Sequence, residues 1–311
     1  MKIGFLFPGQ GSQSIGMGKD LYENYEEARE IYDLVEKLTG VNVKSISFDG
    51  PEEVLNETKN TQLAILTQSL AILNILKKNG IEADISAGLS LGEYTALINA
   101  DFITIEDGIK IVKTRGELMQ SLVPNGRWKM AAILGLDEAT VRSICNKVKS
   151  GFVVPANFNT IGQIVVSGDE SAINEIEAIA KEQGAKKVMI LNTAGPFHTE
   201  KLVESSKALK EELKKYEIKF NNNKKVIKNL DGKCYTENDD FKELLAKHII
   251  NPVRFTDVLK TMYDEGVDCF VEIGPGKTLA GFVKRMKFDG DIKIININSV
   301  DSLNAAITTL R

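Results

Sequence analysis

Ile85-Ser-Ala-Gly-Leu-Ser-Leu-Gly-Glu-Tyr94 reads as a short apolar strand that turns sharply into a helix, with Ser90 at the bend between Gly88 and Gly92. A serine thrust out of so tight a turn leaves no room for side chains two residues to either side, which is why glycine is needed at both places. The layout is that of a nucleophile elbow. It presents the Ser90 hydroxyl at the amino end of the next helix, where an oxyanion is favoured. A strand running directly into a helix also points to an α/β fold. The pentapeptide itself is short enough to arise by chance, so the flanking sequence has to support it.

Outward from the elbow, strand-like and helix-like segments alternate. Residues 2–7 read as a strand, 28–39 as a helix and 62–78 as a long apolar helix stopped by Gly80. In that helix Leu63, Leu66, Leu70 and Leu73 share one face and Ile65, Ile72 and Leu76 widen it, so burial on most sides is expected. Helices are expected over 93–99 and 105–122. From about residue 126 the rhythm changes to strand 128–134, helix 137–149, strands 152–158 and 163–167, helix 171–183 and strand 187–191. This β-α-β-β-α-β order is the split unit of a ferredoxin-like domain. Asp137 and either Asp169 or Ser171 are the expected N-caps, and Gly184 the expected C-cap. Beyond it come helices 205–216, 238–250, 256–265 and 278–286, and strands 225–229, 269–273 and 293–297. The expected architecture is therefore an α/β-hydrolase-like catalytic domain with a parallel sheet core, residues 1–125 and 196–311, carrying an inserted ferredoxin-like subdomain, residues 126–195.

A chain of 311 residues with 43% hydrophobic and 26% charged content can bury a core of that size. The net charge of −4 argues against a nucleic-acid-coating protein. No run of eighteen apolar residues suggests a membrane span, and the start Met1-Lys-Ile-Gly-Phe-Leu-Phe7 enters a strand without a cleavable signal, so a cytoplasmic location is expected. Cys145, Cys234 and Cys269 are widely spaced and odd in number, which suggests neither disulfides nor a zinc site. Lysines cluster at Lys181, Lys186 and Lys187, at Lys207, Lys210, Lys214 and Lys215, and around Lys284 and Lys287. Such clusters are either solvated helix faces or docking points for an acidic partner.

A serine nucleophile needs a base, and only His198 and His248 are available. His198 follows Gly195-Pro-Phe197 in a loop after the small domain's last strand, where a side chain can be held over a cleft, and it is the first choice. His248, on an expected helix, is the fallback. An oxyanion hole needs two converging N–H groups: one is that of Leu91, and a second is expected from the glycine-rich loop Phe7-Pro-Gly-Gln-Gly-Ser-Gln13. That loop lacks the Gly-Lys-Ser/Thr ending of a phosphate-binding loop. Arg115, among apolar Ile109, Ile111, Val112 and Leu118, is either a snorkelling or ion-paired residue or a bidentate clamp for a carboxylate. Glu272-Ile-Gly-Pro-Gly-Lys-Thr278 reads as a plain strand-turn-helix connection.

Together with Asn251-Pro-Val-Arg-Phe255, these motifs resemble those of malonyl-CoA:acyl carrier protein transacylases, in family order from residue 7 to residue 276. The resemblance implies Ser90 as nucleophile and His198 as general base and acid. It also implies the N–H groups of Gln10 and Leu91 as oxyanion hole, and Arg115 as the partner of the malonate carboxylate. It implies further that Phe197 selects malonyl over C2-branched acyl groups. A main-chain carbonyl near Asn251-Pro252 would orient the histidine in place of an Asp or Glu. Two positions depart from the family pattern: Leu89 stands where histidine is common, and His248 where glutamine is common. If the contact beside His198 is main-chain, catalysis should tolerate both.

The resemblance implies ping-pong transfer of malonyl from malonyl-CoA to the phosphopantetheine thiol of acyl carrier protein, supplying fatty-acid synthesis. No metal or other cofactor is required, and the expected state is a monomer that binds its acidic carrier transiently. A serine thioesterase or carboxylesterase would use the same elbow but give Arg115 no particular task.

Overall fold

Phe5 and Phe7 face one side of the first strand and Leu6 the other, and all three are fully buried, which requires a strand covered on both faces. The computed structural model describes residues 1–191, 193 and 195–311. Its strands are β1 (Ile3–Phe7), β2 (Ile85–Gly88), β3 (Trp128–Leu134), β4 (Val153–Thr160), β5 (Gln163–Asp169), β6 (Lys187–Leu191), β7 (Lys225–Val226), β8 (Cys269–Ile273) and β9 (Lys293–Ile297). Five of them form a parallel sheet in the order β7-β2-β1-β8-β9. On one face Phe5 and Phe7 pack with the helix Thr58–Lys78, whose residues from Asn60 to Leu73 are all buried. On the other face Leu6, Ile85 and Ala87 pack with the helices Phe255–Asp264 and Thr278–Met286. The glycine-rich loop after β1 and the elbow after β2 therefore leave the carboxyl edge of this sheet side by side, where parallel α/β folds place their sites.

The second sheet is fully antiparallel in the order β4-β5-β3-β6, the strand order of a ferredoxin-like unit. The helices Glu138–Lys147 and Glu170–Glu182 cover its outer face, while Met130, Ala132, Ala156 and Val165 on its inner face join the large core. Asp137 caps the first helix by accepting from the Thr140 N–H at 2.8 Å. Asp169 occupies the cap position of the second, but its carboxylate accepts from the Phe152 N–H instead, and Ser171 lies inside the helix. Main-chain bonds tie β4 to the segment before the helix Phe255–Asp264: Phe158 N–H donates to the Val253 carbonyl at 2.8 Å and Val253 N–H to that of Ala156 at 2.9 Å. Arg254 adds an ion pair to Glu138 at 2.9 Å.

Four helices were not expected from the sequence: Lys19–Asn24, Val43–Phe48, Glu52–Leu55 and Val300–Leu310. The first three span at most six residues, too short for a 3.6-residue period to show. The fourth carries a capping box at Ser299 and Ser302, a legible start signal. Of the strand expected over 225–229, only Lys225–Val226 joins the sheet as β7, with Ile227 in an isolated bridge to Cys234. Past it, Asn229 is drawn to the elbow by its own side chain, which ends the ladder. Among the described residues no helix is long and apolar enough to cross a membrane.

Candidate active site

A Cβ on Gly88 would overlap the backbone of Gly92, and one on Gly92 would overlap the Phe7 carbonyl, so both glycines are sterically required. Between them Ser90 has φ 53°, a left-handed conformation uncommon for a residue with a side chain. Asn229 holds the bend from the side: its Oδ1 accepts from the Ser90 N–H and its Nδ2 donates to the Gly88 carbonyl, both at 2.7 Å. The loop after β1 packs onto the elbow, with the Leu89 N–H donating to the Phe7 carbonyl at 2.9 Å. A Cβ on Gly9 would run into the Leu89 carbonyl, which explains a glycine there.

His198 arrives from the loop after β6, also with positive φ, 59°, and lies 2.8 Å from Ser90 Oγ through Nε2. Its Nδ1 donates to the main-chain carbonyl of His248 at 2.9 Å, and this leaves the Nε2 lone pair facing the serine. That carbonyl belongs to the last residue of the helix Phe241–His248, the negative end of its dipole. The orienting contact is thus main-chain, three residues before Asn251. Asn251 ties the helix end, donating through Nδ2 to the Lys247 carbonyl at 2.8 Å, and its main chain also faces the His198 imidazole. Burial holds the His198 imidazole well below its ordinary pKa, and electrostatic repulsion from the His248 ring and the Arg115 guanidinium pushes in the same direction.

Arg115, from the helix Ile105–Ser121, is 1% exposed. Its Nη1 donates to Gln62 Oε1 at 2.6 Å and its Nη2 to Ser90 Oγ at 3.0 Å. Among the described residues no carboxylate pairs with it, and its Nε has no partner. The Tyr94 ring lies 5.4 Å from the guanidinium carbon. Charged groups are seldom buried without a counterion. This one points beside the serine into a cavity of about 220 Å³ between the two sheets.

Gln10 and Leu91 line the same cavity, and neither main-chain N–H has a partner among the described residues. Phe197, 5% exposed, forms part of its wall, and Met130, Asn157 and Val165 of the antiparallel sheet close the opposite side. The His248 ring does not reach Ser90: it is buried behind His198 with its centroid 5.0 Å from the His198 ring. The turn after β8 is structural at its base, since buried Glu272 accepts from the N–H groups of Leu279 and Ala280. Lys181, Lys207, Lys210, Lys214 and Lys215 are paired with carboxylates on the surface, as solvated helix faces are.

Two residues at the site went unread in the sequence. Gln62 was visible as a polar residue at the start of an apolar helix. Asn229, 139 positions from Ser90, left no local signal.

A serine–histidine dyad on a parallel sheet, with a cation beside it and a second sheet closing the cavity, defines an acyltransferase. The family model described as the acyl transferase domain matches residues 4–293. A malonyl CoA-acyl carrier protein transacylase of Bacillus subtilis (strain 168) is 41% identical over 100% of this chain and 98% of its own length. One of Staphylococcus aureus (strain MSSA476) is 39% identical over 97% of each. The solved transacylase of Clostridium perfringens superposes with a TM-score of 0.93 at 40% identity, covering 100% of this chain and 98% of that one. A malonyl-transacylase solved in complex with its type II PKS acyl-carrier protein superposes at 0.94 with 32% identity, covering 99% and 100%. The chain belongs to the malonyl CoA-acyl carrier protein transacylase family.

Proposed function

We propose that this chain moves a malonyl group from malonyl-CoA to the phosphopantetheine thiol of an acyl carrier protein by way of a malonyl ester on Ser90. The observation that carries the reading is Arg115, a buried guanidinium without a carboxylate partner 3.0 Å from the candidate nucleophile. A hydrolase of simple acyl esters has no use for it, whereas the free carboxylate of malonate completes it.

His198 Nε2 takes the proton as Ser90 Oγ attacks the thioester carbonyl. The N–H groups of Leu91 and Gln10 receive the oxyanion. As the C–S bond breaks, His198 returns the proton to the departing CoA sulfur. The carrier's thiol then gives its proton to His198, attacks the ester and takes the malonyl group, restoring the Ser90 hydroxyl. The helix-end carbonyl of His248 stabilises the transient imidazolium, so no third carboxylate is needed, and Asn251 keeps that helix end in place. The thioester is already activated, so the reaction calls for neither metal nor redox cofactor. Phe197 narrows the cavity against C2-branched acyl groups. We assign the chain to the cytoplasm as a monomer supplying fatty-acid synthesis.

Malonyl-CoA is mixed with the protein and Ser90 is examined by peptide mass for a malonyl increment, and holo carrier protein is then added. The expected result is an adduct that passes to the carrier thiol. An absent adduct, or one that is only hydrolysed, overturns the assignment.

A further inference from the structure

Glu93 and His248 are both almost fully buried, 2% and 1% exposed, yet neither side chain takes part in the steps above. They face each other directly behind His198, with His248 Nδ1 3.1 Å from Glu93 Oε2. Glu93 belongs to the elbow helix Gly92–Asn99, so the contact joins the element that carries the nucleophile to the helix whose end orients the base. Tyr235 donates to Glu93 Oε1 at 2.7 Å. The main-chain N–H of Asn229, whose side chain holds the elbow, donates to Glu93 Oε2 at 3.4 Å. The carboxylate thus touches the supports of both Ser90 and His198.

We propose that Glu93 and His248 are a positioning pair for His198. The carboxylate anchors the His248 imidazole, and the anchored residue fixes the carbonyl that accepts from His198 Nδ1. The inference rests on the proposed malonyl transfer and assigns to this chain's own His248 a task that its ring performs from behind the dyad. A second consequence follows from charge. Glu93 and His198 are the titratable groups that face His248, Tyr235 stands behind Glu93, and Arg115 lies on the far side of His198 beside Ser90. The His248 ring lies 5.0 Å from that of His198, and its electrostatic repulsion adds to burial in holding the His198 pKa down.

Three variants separate anchoring from charge. His248→Gln keeps a polar side chain facing Glu93 and removes the imidazole, His248→Leu removes both, and Glu93→Gln removes the carboxylate that lies 3.1 Å from His248 Nδ1. Malonylation of Ser90 is followed by rapid quench from pH 5 to 8, with KM and kcat for each protein and a melting curve to establish folding. His248→Gln is expected to retain more kcat at pH 8 than His248→Leu and to move the acid limb up by about one pH unit, tenfold in rate on that limb. His248→Leu and Glu93→Gln are expected to lose about tenfold in kcat at every pH with KM within about twofold. Parental kcat and pH profile in His248→Leu overturn the proposal. If Glu93→Gln does not fold, the two His248 variants decide. A parent protein that forms no malonyl-serine overturns the proposed function, and this inference with it, whereas a malonylated parent with indistinguishable variants overturns the positioning pair alone.

Discussion

Ser90 and His198 both hold left-handed backbones, φ 53° and 59°, and their side chains meet at 2.8 Å across 108 residues of sequence. Each sits at a turn between a strand and the segment that follows. The strain at one is useful only because the other is strained toward it. His198→Ala is expected to lower the rate of Ser90 malonylation on the order of 10³-fold or more while leaving KM within a few-fold. Rapid-quench kinetics checks this, and an unchanged rate would remove the base from the mechanism.

Arg115 separates activity from stability. Arg115→Met should cost on the order of 10²-fold in kcat/KM for malonyl-CoA, the worth of a charge-assisted carboxylate contact, with much less effect on acetyl-CoA. Because the guanidinium is buried without a counterion among the described residues, the same variant should melt at the parental temperature or above it. Comparing the two substrates and the melting curve reads both; equal losses with both thioesters would make the arginine structural.

The elbow glycines admit no substitution. A methyl group on Gly92 has nowhere to go but the Phe7 carbonyl, so Gly92→Ala should cost more than about 4 kcal/mol or fail to fold. Gly11, whose Cβ would meet nothing within 4 Å but whose φ is +102°, should lose much less on the same change. Urea denaturation of the two variants orders them.

The depressed pKa of His198 has a signed effect on stability. Below about pH 6.5 the unfolded chain binds a proton at this position that the folded protein refuses. Stability from this group is therefore complete above about 6.5 and declines as the pH falls from there toward the lower folded value. Unfolding free energies between pH 7.5 and 5 should show a slope that His198→Gln makes shallower. Acylation should stay level down through pH 6.5, because His198 remains unprotonated there.

What was legible in the sequence was local. Alternation of apolar residues, the glycines of the elbow and the caps of the small domain are properties of segments a few residues long. They located β3, β6, β8 and β9 at their observed bounds and the long buried helix to within four residues. The order of the motifs identified the family, and the shortage of histidines narrowed the base to two. Short helices without a full hydrophobic period stayed invisible, and the expected strand after residue 225 was cut short by a long-range hydrogen bond.

The amino-acid sequence by itself determined the elbow, the alternation of α and β, the split unit and the short roster of reactive side chains, because steric and periodic constraints act between near neighbours. Only the tertiary structure decided that Arg115 points at Ser90 instead of at solvent and that Gln62 receives it. It also decided that His248 lends His198 its carbonyl while its ring turns to Glu93. Those relationships depend on which buried groups meet across 25 to more than 150 residues, and only the packed fold brings such groups within hydrogen-bonding distance.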